Sequence, residues 1–137
     1  MDNIILTLVS IWVGVIIFFS IIVAPTVFKS IDERNASLFL RAFFPKYYVF
    51  GITIGFLCVV FYSLRESSQK ILLDTSFLLI IVMLIFSIIS KAMIPFINKA
   101  RDVGDVGKNR FKRLHLISVL FNMSTLVIGL SYIYINL

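Results

Sequence analysis

Four long apolar runs, Ile4 to Phe28, Tyr47 to Leu64, Ile71 to Ile97 and Leu114 to Ile135, take up most of the 137 residues. A helix needs about 20 residues, at ~1.5 Å each, to cross a hydrocarbon layer, and each run approaches or exceeds that length. With 60% hydrophobic and only 15% charged residues, a chain this short could not bury so much apolar surface in water. The expected fold is therefore all-α: a polytopic membrane protein in which residues 1–137 form one antiparallel bundle of four transmembrane helices. Met1, Asp2 and Asn3 offer no basic n-region, and the first run outlasts the ~7 to 15 residue apolar core of a signal peptide, so it is expected to remain as a helix.

The charged residues orient the bundle. Between the first two runs lie Lys29, Arg34, Arg41 and Lys46; between the last two lie Lys99, Arg101, Lys108, Arg110, Lys112 and Arg113. The middle loop has only Arg65 and Lys70, a ten-to-two asymmetry. By the positive-inside rule both basic loops are expected on the cytoplasmic side and both termini on the outer side, as in a bacterial inner membrane. The net charge of +6 then reports loop orientation and attraction to anionic lipid headgroups, and no nucleic-acid partner is expected. Cys58 stands alone in an apolar run, which excludes an intrachain disulfide.

The first basic segment carries its own pattern. Ser30 and Glu33 have capping-box spacing, and Ile31, Leu38, Phe39, Ala42 and Phe43 recur at helical intervals opposite Asp32, Glu33, Ser37 and Arg41. Because Pro45 disfavours the α conformation at Phe44, the reading is a short amphipathic helix at the cytoplasmic interface, followed by a fresh helix start. In the second basic segment Gly104 and Gly107 predict a mobile loop. The two segments share P-x-[VI]-x-K-x-x-D, at Pro25 to Asp32 and Pro95 to Asp102, which hints at duplicated hairpins.

Polar residues within apolar spans mark the surfaces that face protein or water. His115, Ser118, Asn122, Thr125 and Gly129 step by three and four along the fourth helix, and Ser87, Lys91, Asn98 and Arg101 fall near one face of the third, beside Pro95. Together with Asp102 they predict a hydrated, basic vestibule at the cytoplasmic end. Its expected ligand-binding residues are Lys91, Pro95, Asn98, Arg101, Asp102, His115, Ser118 and Asn122, with the loop from Lys108 to Arg113 contributing charge. The competing plain readings are that Lys91 snorkels to the interface and that the His115 stripe only fixes helix register. Gly51 and Gly55 form a G-x-x-x-G that admits a close backbone, either the first helix through Ser10 and Gly14 or a second copy of the chain in a homo-oligomer.

These residues carry a family resemblance. The runs Trp12-Val-Gly14, Phe18-Phe19, Ala24-Pro25-x-x-Phe28 and Phe43-Phe44-Pro45-x-Tyr47-Tyr48 lead up to two more specific motifs. Those are Ile94-Pro95-x-Ile97-Asn98-x-x-Arg101-Asp102 and Phe111-x-x-Leu114-His115-x-x-Ser118-x-x-x-Asn122. The whole resembles the transmembrane protein 205-like family, whose bacterial members are a domain of unknown function of the DUF4149 type. The resemblance implies a four-helix membrane protein of unsettled chemistry, with a eukaryotic relative linked to drug resistance and the handling of platinum compounds.

Several reaction classes fall away. The segment Gly104 to Asn109 lacks the spacing and hydroxyl of a phosphate-binding loop. One His with no carboxylate inside the spans does not make a catalytic zinc site, and Ser118 beside His115 has no acid to orient the pair. No catalytic residues are expected. The favoured function is binding or transport of an anionic or amphipathic small molecule or lipid at the vestibule, without a cofactor. A redox protein holding haem b or copper through His115, with Met93 or Met123 as a soft partner, is the alternative, and a structural membrane subunit is the third reading.

Overall fold

Buried in lipid, a backbone must satisfy its own hydrogen bonds, and helix is the form in which a single apolar segment does so. The computed structural model describes residues 2–65 and 74–137, and they are helical almost throughout. Helix α1 (Asp2–Phe18) passes through a π-helical turn (Phe19–Val23) into α2 (Ala24–Ser30); α3 is Glu33–Arg65, α4 is Thr75–Asp102, and a 3-10 turn (Gly104–Gly107) leads into α5 (Lys108–Asn136). Four helices, one of them α1 and α2 together, are long and apolar enough to cross a membrane. Each antiparallel neighbour closes the ring: α1 packs on α3 and α5, and α4 packs on the same two. The expected start of the third span at Ile71, and the loop with Lys70, lie outside the described residues.

The first helix deforms where its sequence demands it. Pro25 has no N–H and its ring would press on the carbonyl of Ile21, and the turn before it widens so that the Ala24 N–H reaches the Phe19 carbonyl. Ile31 is extended and ends α2. The cap of α3 is Asp32, whose carboxylate accepts from the Asn35 N–H (3.2 Å) and side-chain amide (2.6 Å). These bonds hold the Asp32 carboxyl below its ordinary value of 3.8. The Ser30–Glu33 capping box does not form, because Ser30 is still part of α2.

The separate amphipathic helix expected before Pro45 is absent. Glu33–Arg65 is one helix of 33 residues, roughly 50 Å long, with Pro45 in its interior. Proline removes a single hydrogen bond there, whereas the aromatic cluster that spans it needs the helix to continue. Phe43 stacks on Phe19 at 4.8 Å and Tyr47 meets the same ring at 5.3 Å, so one ring of the first helix grips side chains on both sides of Pro45. The expected mobile loop is likewise replaced by a tight turn. Gly104 takes φ 62°, a conformation that glycine adopts without a Cβ penalty. α5 begins at Lys108, well before the apolar run at Leu114.

The core lies toward the end of the bundle away from this turn. Trp12 fills the surface of the G-x-x-x-G: a Cβ on Gly51 would sit 2.8 Å from its Nε1, and one on Gly55 would sit 3.2 Å from its Cη2. Within the chain the neighbour of Gly51 and Gly55 is thus an indole rather than the backbone at Ser10 and Gly14. Ile5, Val9, Ile16, Cys58, Tyr62, Ile80, Met83 and Tyr132 are buried around it. At the far end Asp74 caps α4 by accepting from the Ser76 and Phe77 N–H groups, and the Asn136 amide donates to the Ser76 hydroxyl at 3.0 Å. Phe18, Ile21, Phe56, Leu64 and Ile88 point outward, as lipid-facing residues do.

Candidate functional site

Beyond the π turn α2 no longer packs substantially on α5, although α1 does. The gap between them, closed on the other sides by the first turns of α3 and the last turns of α4, is a cavity of about 1310 Å³. That exceeds the ~300 to 1000 Å³ of common small-molecule sites. Phe19, Ala24 and Phe28 line one wall, Leu40, Phe44 and Ile94 another, and Val119 and Met123 a third. Arg34, Arg41, Arg101, Lys108 and Lys112 line it as well, together with Asp32, Glu33 and Asp105. The lip is therefore mixed in charge and less basic than the loop composition suggests.

Five of the eight expected site residues come together here: Asn98, Arg101, His115, Ser118 and Asn122 all line the cavity. Antiparallel packing of α4 on α5 across a short turn places the first two opposite His115 and Ser118. Arg101 donates from Nη1 to the Ser37 hydroxyl at 2.7 Å and lies over the Phe111 ring, 4.6 Å from its centre. Phe111 in turn stacks on His115 one helical turn later, nearly parallel at 5.6 Å. A guanidinium has five N–H donors and Arg101 spends one on Ser37, with no carboxylate within ion-pair distance among the described residues. Among the described residues the side chains of Asn98 and His115 make no hydrogen bond at all. They do not pair with each other; both present free polar groups to the same space.

Ser118 and Asn122 serve a second purpose. The Tyr47 hydroxyl donates to Asn122 Oδ1 at 2.9 Å, and the Tyr48 and Ser118 hydroxyls lie 3.1 Å apart in a hydrogen bond. These two bonds form the floor of the cavity and tie α3 to α5. In the sequence Tyr47 and Tyr48 stand out only as part of the family motif, which gives no sign of their partners.

The other three expected residues lie elsewhere. Pro95 is exposed and does not line the cavity. Lys91 is on an outer groove with Pro45, Lys46, Val49 and Phe50. Asp102 is bound by Arg41 in a two-pronged ion pair, Nη1 to Oδ2 at 3.3 Å and Nη2 to Oδ1. Arg41 and Ser37, which sequence reasoning assigned only to the polar face of a separate helix, thus clasp α3 to α4 beside the cavity. Met123 lines the cavity but stands eight residues from His115, roughly 12 Å along one helix, and Met93 does not line it. Among the described residues no three His, Cys, Asp or Glu side chains gather to hold a metal ion.

Fold and cavity together define an integral-membrane-type four-helix bundle with an amphipathic cavity at one end. The chain belongs to the family described as Domain of unknown function (DUF4149), whose pattern matches residues 7–106. It is 28% identical over 134 residues to a protein of Aquifex aeolicus (strain VF5) described as "Uncharacterized protein", a similarity covering 98% of this chain and 95% of that one. No solved structure matches the chain.

Proposed function

We propose that the protein binds, and in a membrane passes on, an anionic amphiphile: a headgroup such as a carboxylate or phosphate at Arg101, Asn98 and His115, and an apolar chain in the gap between α2 and α5. One observation carries this reading: three polar side chains with unspent hydrogen-bonding capacity line one large cavity that has apolar walls and a lip of mixed charge. A site built to hold a ligand by a few placed polar groups has this composition. Arg suits the role because its planar donors match the two oxygens of a carboxylate or phosphate. The ten-to-two asymmetry of basic residues supports a cytoplasmic position for this end in a bacterial inner membrane, with both termini outside. Kinship with the transmembrane protein 205-like family rests on the motifs Ile94 to Asp102 and Phe111 to Asn122, eight of whose named residues line the cavity.

A fluorescent single-chain carboxylate, titrated into the detergent-solubilised protein, tests the reading. Arg101→Gln should weaken binding roughly tenfold to a hundredfold, the loss of a charge-assisted hydrogen bond. Ser37→Ala removes the partner of Arg101 without touching its charge and should keep most of the affinity. Equal binding by Arg101→Gln and the unaltered protein would end the proposal. Haem b held by His115 is the alternative, with its second ligand drawn from another chain; a Soret band that vanishes in His115→Ala would favour it.

A further inference from the structure

We propose a second binding site, on the outer surface of the bundle, in which Lys46 of α3 and Lys91 of α4 together hold the phosphate of an anionic diacyl phospholipid. The two lysines share a groove of about 450 Å³ with Pro45, Val49 and Phe50, and none of these residues lines the cavity between α2 and α5. Both ammonium-bearing residues are exposed, and among the described residues neither has a carboxylate partner.

Depth identifies the occupant. From Lys46 to Leu64 at the far end of α3 the helix rises roughly 27 Å, and from Thr75 to Lys91 on α4 roughly 24 Å. Measured from that far end, the hydrocarbon layer extends ~30 Å, so both lysines lie just inside its opposite boundary. A lone lysine there can snorkel into the headgroups. Two lysines brought from different helices to one groove with an apolar floor set two positive charges beside an apolar track. A lipid supplies the complement at this depth: a phosphate for the charges, with its acyl chains along Val49 and Phe50. Basic pockets between membrane helices bind anionic headgroups in this way.

The experiment compares the protein in nanodiscs of phosphatidylcholine containing a minor fraction of phosphatidylglycerol, released into native mass spectrometry. The protein should retain phosphatidylglycerol over phosphatidylcholine, and Lys46→Gln with Lys91→Gln should weaken that preference about thirtyfold, as expected for two lysines near an anionic surface. The charge-preserving pair Lys46→Arg with Lys91→Arg should restore it. Both positions are exposed, so circular-dichroism melting of the Gln pair should match the unaltered protein. Binding of the fluorescent carboxylate should be unchanged in the Gln pair, which separates this site from the cavity. Retention of phosphatidylglycerol by the Gln pair, or its loss only in Arg101→Gln, would overturn the proposal and place the lipid elsewhere.

Discussion

Alanine at Gly107 is expected to be the most damaging single added methyl group in the turn between α4 and α5. A Cβ built there lies 2.0 Å from the Ala100 carbonyl oxygen and 2.6 Å from Val103 Cγ2. The nearer atom belongs to the backbone of α4 and cannot rotate away, so the two helices must part by an ångström or more. Overpacking of this kind costs ~1 to 3 kcal/mol, and a main-chain collision belongs at the upper end. Gly104→Ala differs in mechanism: nothing lies within 4 Å, but φ is +62°, and a left-handed alanine costs roughly 1 to 2 kcal/mol. Gly14→Ala meets neither obstacle, since Gly14 is helical with nothing within 4 Å, and should stabilise by roughly 0.5 to 1 kcal/mol through lost unfolded-state freedom. Thermal unfolding followed by circular dichroism, in one detergent, should therefore rank Gly14→Ala above the unaltered protein, then Gly104→Ala, then Gly107→Ala. Because the same turn sets Arg101 against Phe111, Gly107→Ala should also weaken carboxylate binding. If Gly107→Ala melts at or above Gly104→Ala, the close approach of the turn to Ala100 is wrong, and with it the derived geometry of the cavity mouth.

Two further outcomes follow from the same geometry. The Asp32 carboxyl is held below its ordinary value of 3.8 by Asn35, so its contribution to stability is complete above 3.8 and is lost as pH falls through the lower folded value; the pH–melting curve of Asp32→Ala should be flatter in that acidic window than that of the unaltered protein. Val106 and Leu137 are both almost fully exposed at opposite ends of α5, and Cys58 is buried, so single cysteines at the two sites can be labelled selectively. In intact cells a membrane-impermeant maleimide should reach Leu137→Cys and spare Val106→Cys, and the reverse pattern would invert the proposed orientation.

The apolar runs located the four helices because hydropathy is a property of the residues themselves. They misplaced the helix ends because a helix need not stop where its apolar residues stop. Glu33 to Phe44 are too polar to read as part of a span, yet they continue α3 in one piece, and Lys108 to Arg113 do the same for α5. The local preference of Pro45 pointed to a break, and the stacking of Phe43 and Tyr47 around Phe19 overrode it. Periodicity correctly put Ser118, Thr125 and Gly129 on the buried face of α5. It could not name Tyr47 and Tyr48 as partners, because a helical stripe says which way a residue faces and nothing of what stands opposite.

The sequence by itself determined a four-helix, all-α chain of membrane-spanning character, a basic end, and a polar stripe on the last helix, since each follows from composition and from the 3.6-residue period. Only the tertiary structure decided which polar residues share a space. Asn98, Arg101 and His115 meet because the five-residue turn through Gly104 and Gly107 folds α5 back on α4. Lys91, one face away, is carried to the outer groove with Lys46. The cavity itself depends on α2 leaving α5 after the π turn. That separation is a relation between two helices far apart in sequence, and no single stretch of residues encodes it.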